Sequence, residues 1–172
     1  MEVRRILFPV DLTESCSEIA PQVISVAEKF VAEIHLISAA ESIEPGNAFY
    51  VQYPSFDPFE RERQECVARA LQKFEEEFFV SYRNVKRVVL RGHPGEEILK
   101  SIDSFGIDLV VLATRRRKGL EKALLGSVAD EVIKNSPVPV MSINHRVREL
   151  GWRVSNIRPE DELKLRPKWH HD

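Results

Sequence analysis

The chain has 172 residues, one domain of ordinary size with room for one sizeable core and not for two. Hydrophobic residues make up 43% and charged residues 30%, which excludes a disordered chain; apolar runs no longer than about seven residues exclude a membrane span. With 25 Lys and Arg against 27 Asp and Glu, the formal charge is −2, so nucleic acid is an unfavoured partner and any basic site must be local.

The first residues, MEVRR, run straight into a strand-like segment, and no signal peptide is expected. Cys16 and Cys66 have neither zinc nor redox spacing and point to a reducing compartment. A cytoplasmic α/β domain is the expectation.

Residues 3–10 (VRRILFPV) read as a first strand, with Pro9 at its end where a strand tolerates it. A helix from about Cys16 to Phe30 follows, because Ile19, Val23, Val26, Ala27 and Phe30 recur at helical spacing. Thr13 or Ser15 supplies its cap. Pro21 fits best in a first turn, which predicts a late start for the regular helix. Residues 33–39 (EIHLISA) form the second strand. A loop over 41–58, rich in Pro, Phe and Tyr, is long enough to suggest a functional role.

A long helix is predicted from Phe59 to Tyr82, with Val67, Leu71, Phe74 and Phe78 as one apolar stripe. Residues 85–91 (VKRVVLR) form the third strand. GHPGEE then turns the chain into a short helix carrying Ile98, Leu99 and Ile102. Residues 107–113 (IDLVVLA) are the most apolar strand and are expected at the sheet centre, buried on both faces. A last helix is predicted over Lys122–Lys134, with Leu124, Val128, Ala129 and Val132 facing in. Strand five is 138–143 (VPVMSI). Residues 145–172 show no clear period and read as a C-terminal extension to a domain spanning 1–144; the closing His170 and His171 are expected to hold no metal.

Five alternations of strand and helix specify a parallel sheet covered by helices on both faces. Ligands of such sheets sit beyond the carboxyl ends of the strands, where the strand order reverses. The candidate site therefore lies at Pro9–Asp11, after Leu36, and at Ala113–Lys118. Gly126 and Ser127 stand near the start of the last helix, where a glycine lets an anion approach and a hydroxyl donates to it. Asp11 is placed to accept hydrogen bonds from ribose hydroxyls.

Three separated blocks carry a family resemblance: ILFPVDLTES (6–15), GHPGEEIL (92–99) and LLGSVADEVIKNSPVPV (124–140). In order and spacing the chain resembles the universal stress protein family over about residues 3–143. The resemblance implies a Rossmann-like five-stranded sheet in the order 3-2-1-4-5. It further implies a regulatory module that binds ATP, with or without Mg²⁺. Backbone near Leu36 would meet the adenine edge, and Pro9 and Val128 would line the pocket. Homodimerisation through strand 138–143 is also implied. The family's G-x2-G-x9-G-(S/T) pattern lands on Ala113, Arg116, Gly126 and Ser127, so its first two glycines are replaced.

A positive φ at Ala113 would cost about 1 kcal/mol. Arg116 either clamps phosphates or occupies their site, and in the second case the protein is a homodimeric interaction module without nucleotide. The run Arg115, Arg116, Arg117 and Lys118 favours an anion at this place. A nucleic-acid reading of the same run, extended to Lys122, is disfavoured by net charge and by the lack of interleaved aromatics.

No Walker A sequence and no G-x-S-x-G elbow is present, so robust catalysis is not expected. His93 is expected to cap the Pro94–Gly95 turn, His35 to be a satisfied core or edge residue, His145 to be exposed, and Cys16 to be structurally buried.

Overall fold

The computed structural model describes residues 2–40, 58–115 and 126–145. In chain order the elements are β1 (Arg5–Pro9), α1 (Glu14–Phe30), β2 (Glu33–Ala40), α2 (Pro58–Phe78), β3 (Val85–Arg91), α3 (Pro94–Phe105), β4 (Leu109–Arg115), α4 (Ser127–Asn135) and β5 (Val140–His145). The strands form one parallel sheet in the order β3-β2-β1-β4-β5, which is the expected topology.

Side chains alternate across a strand, and β1 shows what that does. Ile6 and Phe8 join α1 and α2 on one face, with Cys16, Ile19, Val23, Leu71 and Phe74. Leu7 joins α3 and α4 on the other, with Ile37, Ile98, Ile102 and Val132. Phe8, Phe74 and Phe79 form an aromatic cluster with ring centroids 6.0–6.5 Å apart, each ring a large apolar load taken out of water. Val110, Val111 and Leu112 are buried between β1 and β5, which bears out the central position expected for that strand.

Several boundaries differ from the sequence reading. Helix α1 starts at Glu14, so Pro21 stands well inside it. Proline removes one backbone bond from an interior turn, yet Pro21 is exposed and the helix continues to Phe30. Helix α2 stops at Phe78, four residues early, because Phe79 leaves the helix to enter the aromatic cluster. The Tyr82 hydroxyl, instead of extending that helix, donates to the Ala32 carbonyl.

Strand β4 begins two residues late. Asp108 is used before it: one carboxylate oxygen accepts the Arg4 and Arg5 amides at 2.8 and 2.9 Å. Regular α4 begins only after Gly126, a poor helix former, and Leu124 lies outside the described residues. Strand β5 also starts two residues late, while Pro139 offers its carbonyl to the Val110 amide. The 41–57 part of the aromatic loop and the extension beyond 145 lie outside the described residues as well.

The two sheet edges are unlike. Strand β3 carries Lys86 and Arg87, which pair with Glu33 and Glu75; such charges guard an edge against further strand pairing. Strand β5, at the other edge, exposes Met141.

Candidate functional site

The chain leaves β1 toward β2 on one side, and β4 lies on the other side of β1. The order reverses there, so the carboxyl ends of β1 and β4 form the switch point at which ligands of such sheets bind. Helix α4 returns from that rim toward the opposite edge of the sheet, which puts its N-terminus at the rim. The β1–α1 turn, the end of β4 and the start of α4 thus share one end of the molecule.

The first wall is the turn after β1. Pro9 is half-buried and closes the strand in register with Ile37. The Val10 amide donates to the Ile37 carbonyl at 2.7 Å. Asp11 is half-buried, and one of its oxygens, Oδ1, takes three donors. They are the Thr13 amide at 3.0 Å, the Thr13 hydroxyl, and the Cys16 thiol at 3.1 Å. Between them Leu12 adopts a left-handed backbone with φ of 58°, an unusual state for a residue with a Cβ. Thr13 does stand at the cap position of α1, but its hydroxyl turns back to Asp11 instead of capping the helix. Cys16 is buried, as expected.

The second wall is the end of β4. Ala113 is a regular strand residue, in register with Ile143 and packed on the α1 side of the core. Its φ is not positive, so the strain expected from replacing a glycine here does not arise. Thr114 is buried, and its hydroxyl donates to Oδ1 of Asn144 on β5 at 2.7 Å. Arg115 is the last residue of β4, in register with His145. Arg116, Arg117, Lys118 and Lys122 lie outside the described residues.

The third wall is the start of α4. Gly126 is exposed, with φ of −60° and, among the described residues, nothing within 4 Å of where a Cβ would stand. Its dihedral suits any residue, so what glycine supplies here is space. Among the described residues no side chain caps α4, and its first intrahelical bond runs from the Asp130 amide to the Gly126 carbonyl at 2.9 Å. The amides of Ser127, Val128 and Ala129 therefore lie in the turn where a helix has no internal partners and carries partial positive charge. Ser127 is exposed beside them. Val128 is half-buried and packs into the α3–α4 core.

Leu36 is the sequence-predicted site residue that the fold places elsewhere. It is fully buried in the middle of β2, paired with Phe8 and Arg87, because β2 runs on to Ala40. The rim of β2 is Ser38–Ala40, beyond the last pairing with β1 at Ile37. Pro9, Asp11, Ala113, Arg115, Gly126 and Ser127 do gather at the rim. Thr13, Cys16, Ser38, Thr114 and Asn144 were missed as its neighbours. The D-x-T spacing of a turn in which Asp accepts an amide two residues on is the signal that was available.

His93 precedes α3 at its cap position without a side-chain cap bond, and its Nδ1 lies 3.7 Å from Glu131 on α4. Gly95 allows that approach, since a Cβ there would collide with the Glu131 carboxylate. His35 is buried against Phe105, with Nε2 2.6 Å from Glu33. Only that half of the expected satisfaction is met: Nδ1 has no partner among the described residues. Burial alone would raise the Glu33 carboxyl, but hydrogen bonds from Lys86 and His35 hold it below the ordinary range. Among the described residues no group of three or more His, Cys, Asp or Glu could hold a metal ion, and no helix is long and apolar enough to cross a membrane.

A doubly wound α/β domain with polar residues gathered at its switch point is the class these features define. The family model described as Universal stress protein family matches residues 2–144. The chain is 30% identical over 152 residues to Universal stress protein MJ0531 of Methanocaldococcus jannaschii, covering 85% of each chain. It thus belongs to the universal stress protein family. Among solved structures, the universal stress protein UspA from Lactobacillus plantarum superposes with a TM-score of 0.63 at 23% identity, over 83% of this chain and 99% of that one. A universal stress protein in complex with cAMP superposes with a TM-score of 0.57 at 16% identity, over 83% of this chain and 98% of that one.

Proposed function

We propose that this protein is a regulatory module that binds an adenine nucleotide, ATP in the first instance, at the carboxyl rim of its sheet. The observation that carries the proposal is the open start of α4. Among the described residues, amides without a side-chain cap, a glycine with no close neighbour and an exposed serine stand together at the switch point. A helix start of this kind favours the negative charge of a phosphate. Asp11 lies at the end of the neighbouring strand, and its carboxylate is an acceptor, suited to ribose hydroxyls rather than to phosphate.

The residues fit such a guest. Gly126 and Ser127 would hold phosphate, with the Arg115–Lys118 run contributing charge. Asp11 would hold ribose. Ser38–Ala40, in place of Leu36, would meet the adenine edge. The cAMP held by a protein of the same fold supports adenine as the base. Mg²⁺ would come with the phosphates, since a lone Asp11 is a thin metal site. The module is read as sensing nucleotide rather than turning it over, in line with a sequence that carries no Walker A and no G-x-S-x-G motif.

Isothermal titration with ATP, with and without Mg²⁺, tests the proposal; saturable binding weakened several-fold by Ser127→Ala is expected. Arg116→Gly separates two roles: weaker binding identifies a clamp and tighter binding a plug. Absence of binding to the wild-type protein overturns the nucleotide reading.

The exposed Met141 on edge strand β5 favours a second, compatible feature. We infer a homodimer formed along this edge, in a cytoplasmic protein whose working domain is 1–144 and whose residues 145–172 are an appendage. Sedimentation at micromolar concentration should return twice the chain mass; a clean monomer removes the dimer. If the dimer forms and ATP does not bind, the protein is an interaction module of the same fold.

A further inference from the structure

Two acids lie in the opening turns of α4, and both are engaged away from its free amides. Asp130 stands in the first turn, and its Oδ2 accepts a hydrogen bond from the Lys134 ammonium at 2.6 Å. Glu131 follows it, and its carboxylate crosses to the first turn of α3. There Oε2 lies 3.7 Å from Nδ1 of His93, and a Cβ on Gly95 would stand 2.0 Å from that same oxygen. Gly95 is buried, so the carboxylate occupies the place that a larger residue would take.

The start of α3 suits a carboxylate. Among the described residues no side chain caps it, and its first intrahelical bond runs from the Glu97 amide to the His93 carbonyl at 3.0 Å. The earlier amides carry the partial positive charge of a helix start. The acids of that turn, Glu96 and Glu97, both reach Lys100 instead.

On α4 alone the Glu131 carboxylate belongs elsewhere. Helical side chains lean toward the N-terminus of their helix. Residues four apart share a face, with about 5–6 Å between their Cβ atoms, so Glu131 shares the face of Ser127. A carboxylate leaning back along that face reaches the open amides of α4, which attract it as they would attract a phosphate.

We propose that Gly95 and His93 are positioning residues that determine charge specificity: they seat the Glu131 carboxylate on α3 and keep the start of α4 clear for a phosphate. The inference rests on the nucleotide reading above and adds the regulation of that site by its own acid. Displacing the acid from its seat would turn it into a competitor of the guest.

Isothermal titration of ATP into the full chain at low salt tests this. Gly95→Ala is the direct perturbation. The φ of Gly95 is not positive, alanine is the better helix former, and the atom it meets ends a flexible side chain. The fold should therefore hold while the carboxylate moves, and a Tm at or above that of the wild type checks it. Gly95→Ala should weaken ATP about three- to tenfold, the scale expected between partly screened charges about 8 Å apart. Glu131→Gln alone should stay within about twofold of the wild type, and in the Gly95→Ala background it should restore the affinity. His93→Ala should weaken ATP about twofold, and Glu131→Gln should erase that loss too. If Gly95→Ala fails to fold, the His93→Ala pair decides alone.

A Gly95→Ala loss that survives Glu131→Gln is an effect of backbone packing and overturns the inference. Wild-type affinity in Gly95→Ala, or a several-fold loss in Glu131→Gln alone, overturns it as well. In each of these results the wild-type protein still binds ATP, and the nucleotide reading stands. Absence of binding to the wild-type protein overturns both.

Discussion

Val31 ends helix α1 in a left-handed backbone, φ 54° and ψ 38°, and its amide bonds back to Ala27 and Glu28. Gly106 ends α3 with nearly the same dihedrals, 60° and 50°. One position carries the residue that this turn prefers, and the other carries a β-branched side chain that it disfavours. Replacing Val31 by Gly removes a steric penalty of about 1–2 kcal/mol. Against that stand two smaller terms. Glycine frees the unfolded chain, costing about 0.4–1 kcal/mol. Little burial is lost, because Val31 is 84% exposed; the remaining fraction of a valine transfer energy is about 0.3 kcal/mol.

The net gain for Val31→Gly is about 0.5 kcal/mol, or roughly 1–2 °C in Tm for a chain of this length. The assay is thermal unfolding by calorimetry without ligand, at one fixed protein concentration so that association cannot shift the midpoint. Val31→Ala keeps a Cβ in the same place and should gain less than Gly. A lower Tm for Val31→Gly, or a larger gain for Ala than for Gly, would refute the reasoning.

Gly126→Asp should cap α4, raise stability by a few tenths of a kcal/mol, and weaken ATP at least tenfold by putting a carboxylate where phosphate belongs; retained affinity counts against the rim site. Asp108→Ala removes the acceptor shared by the Arg4 and Arg5 amides and should cost about 1 kcal/mol, read as a lower urea midpoint at constant slope. Phe74→Ala, in the aromatic cluster, should cost about 3–5 kcal/mol, and a loss below about 1 kcal/mol would mean that the cluster is not packed as described. The Glu33 carboxyl is held below its ordinary range when folded. Its contribution is therefore present above the unfolded carboxyl range and lost as pH falls through the folded value. Glu33→Gln should flatten the acid limb of stability against pH, and superimposable curves would remove Glu33 as a source of it.

How much was legible depended on how far apart the deciding residues lie. Strand β3 was read to the residue because its apolar run is bounded by a turn on each side. Helix α2 was overrun because Phe79 and Tyr82 continue a helix-like pattern locally. Only their contacts with Phe8 and Ala32 draw them out of it. Leu36 was placed at the rim although its spacing fits any point of a buried strand; its pairing with Phe8 sets it in the middle. At the site, Asp11, Gly126 and Ser127 were visible as residue types in a pattern. The turn of the Thr13 hydroxyl and the Cys16 thiol onto Asp11 depends on the left-handed Leu12, which no propensity announces.

By itself, the order of apolar and polar residues determined the alternation of five strands with four helices and the parallel sheet, while three separated blocks of residues carried the resemblance to the family. The alternation and the sheet follow from periodicities within each segment, which local sterics and burial translate into structure. The tertiary structure alone decided which oxygen of Asp11 is engaged, that Ala113 stays extended without strain, and that Asp108 ties β4 to the start of β1. These outcomes hang on contacts between surfaces that meet only when the chain has folded, some between residues about a hundred positions apart, and a short stretch of sequence carries no record of its distant neighbour.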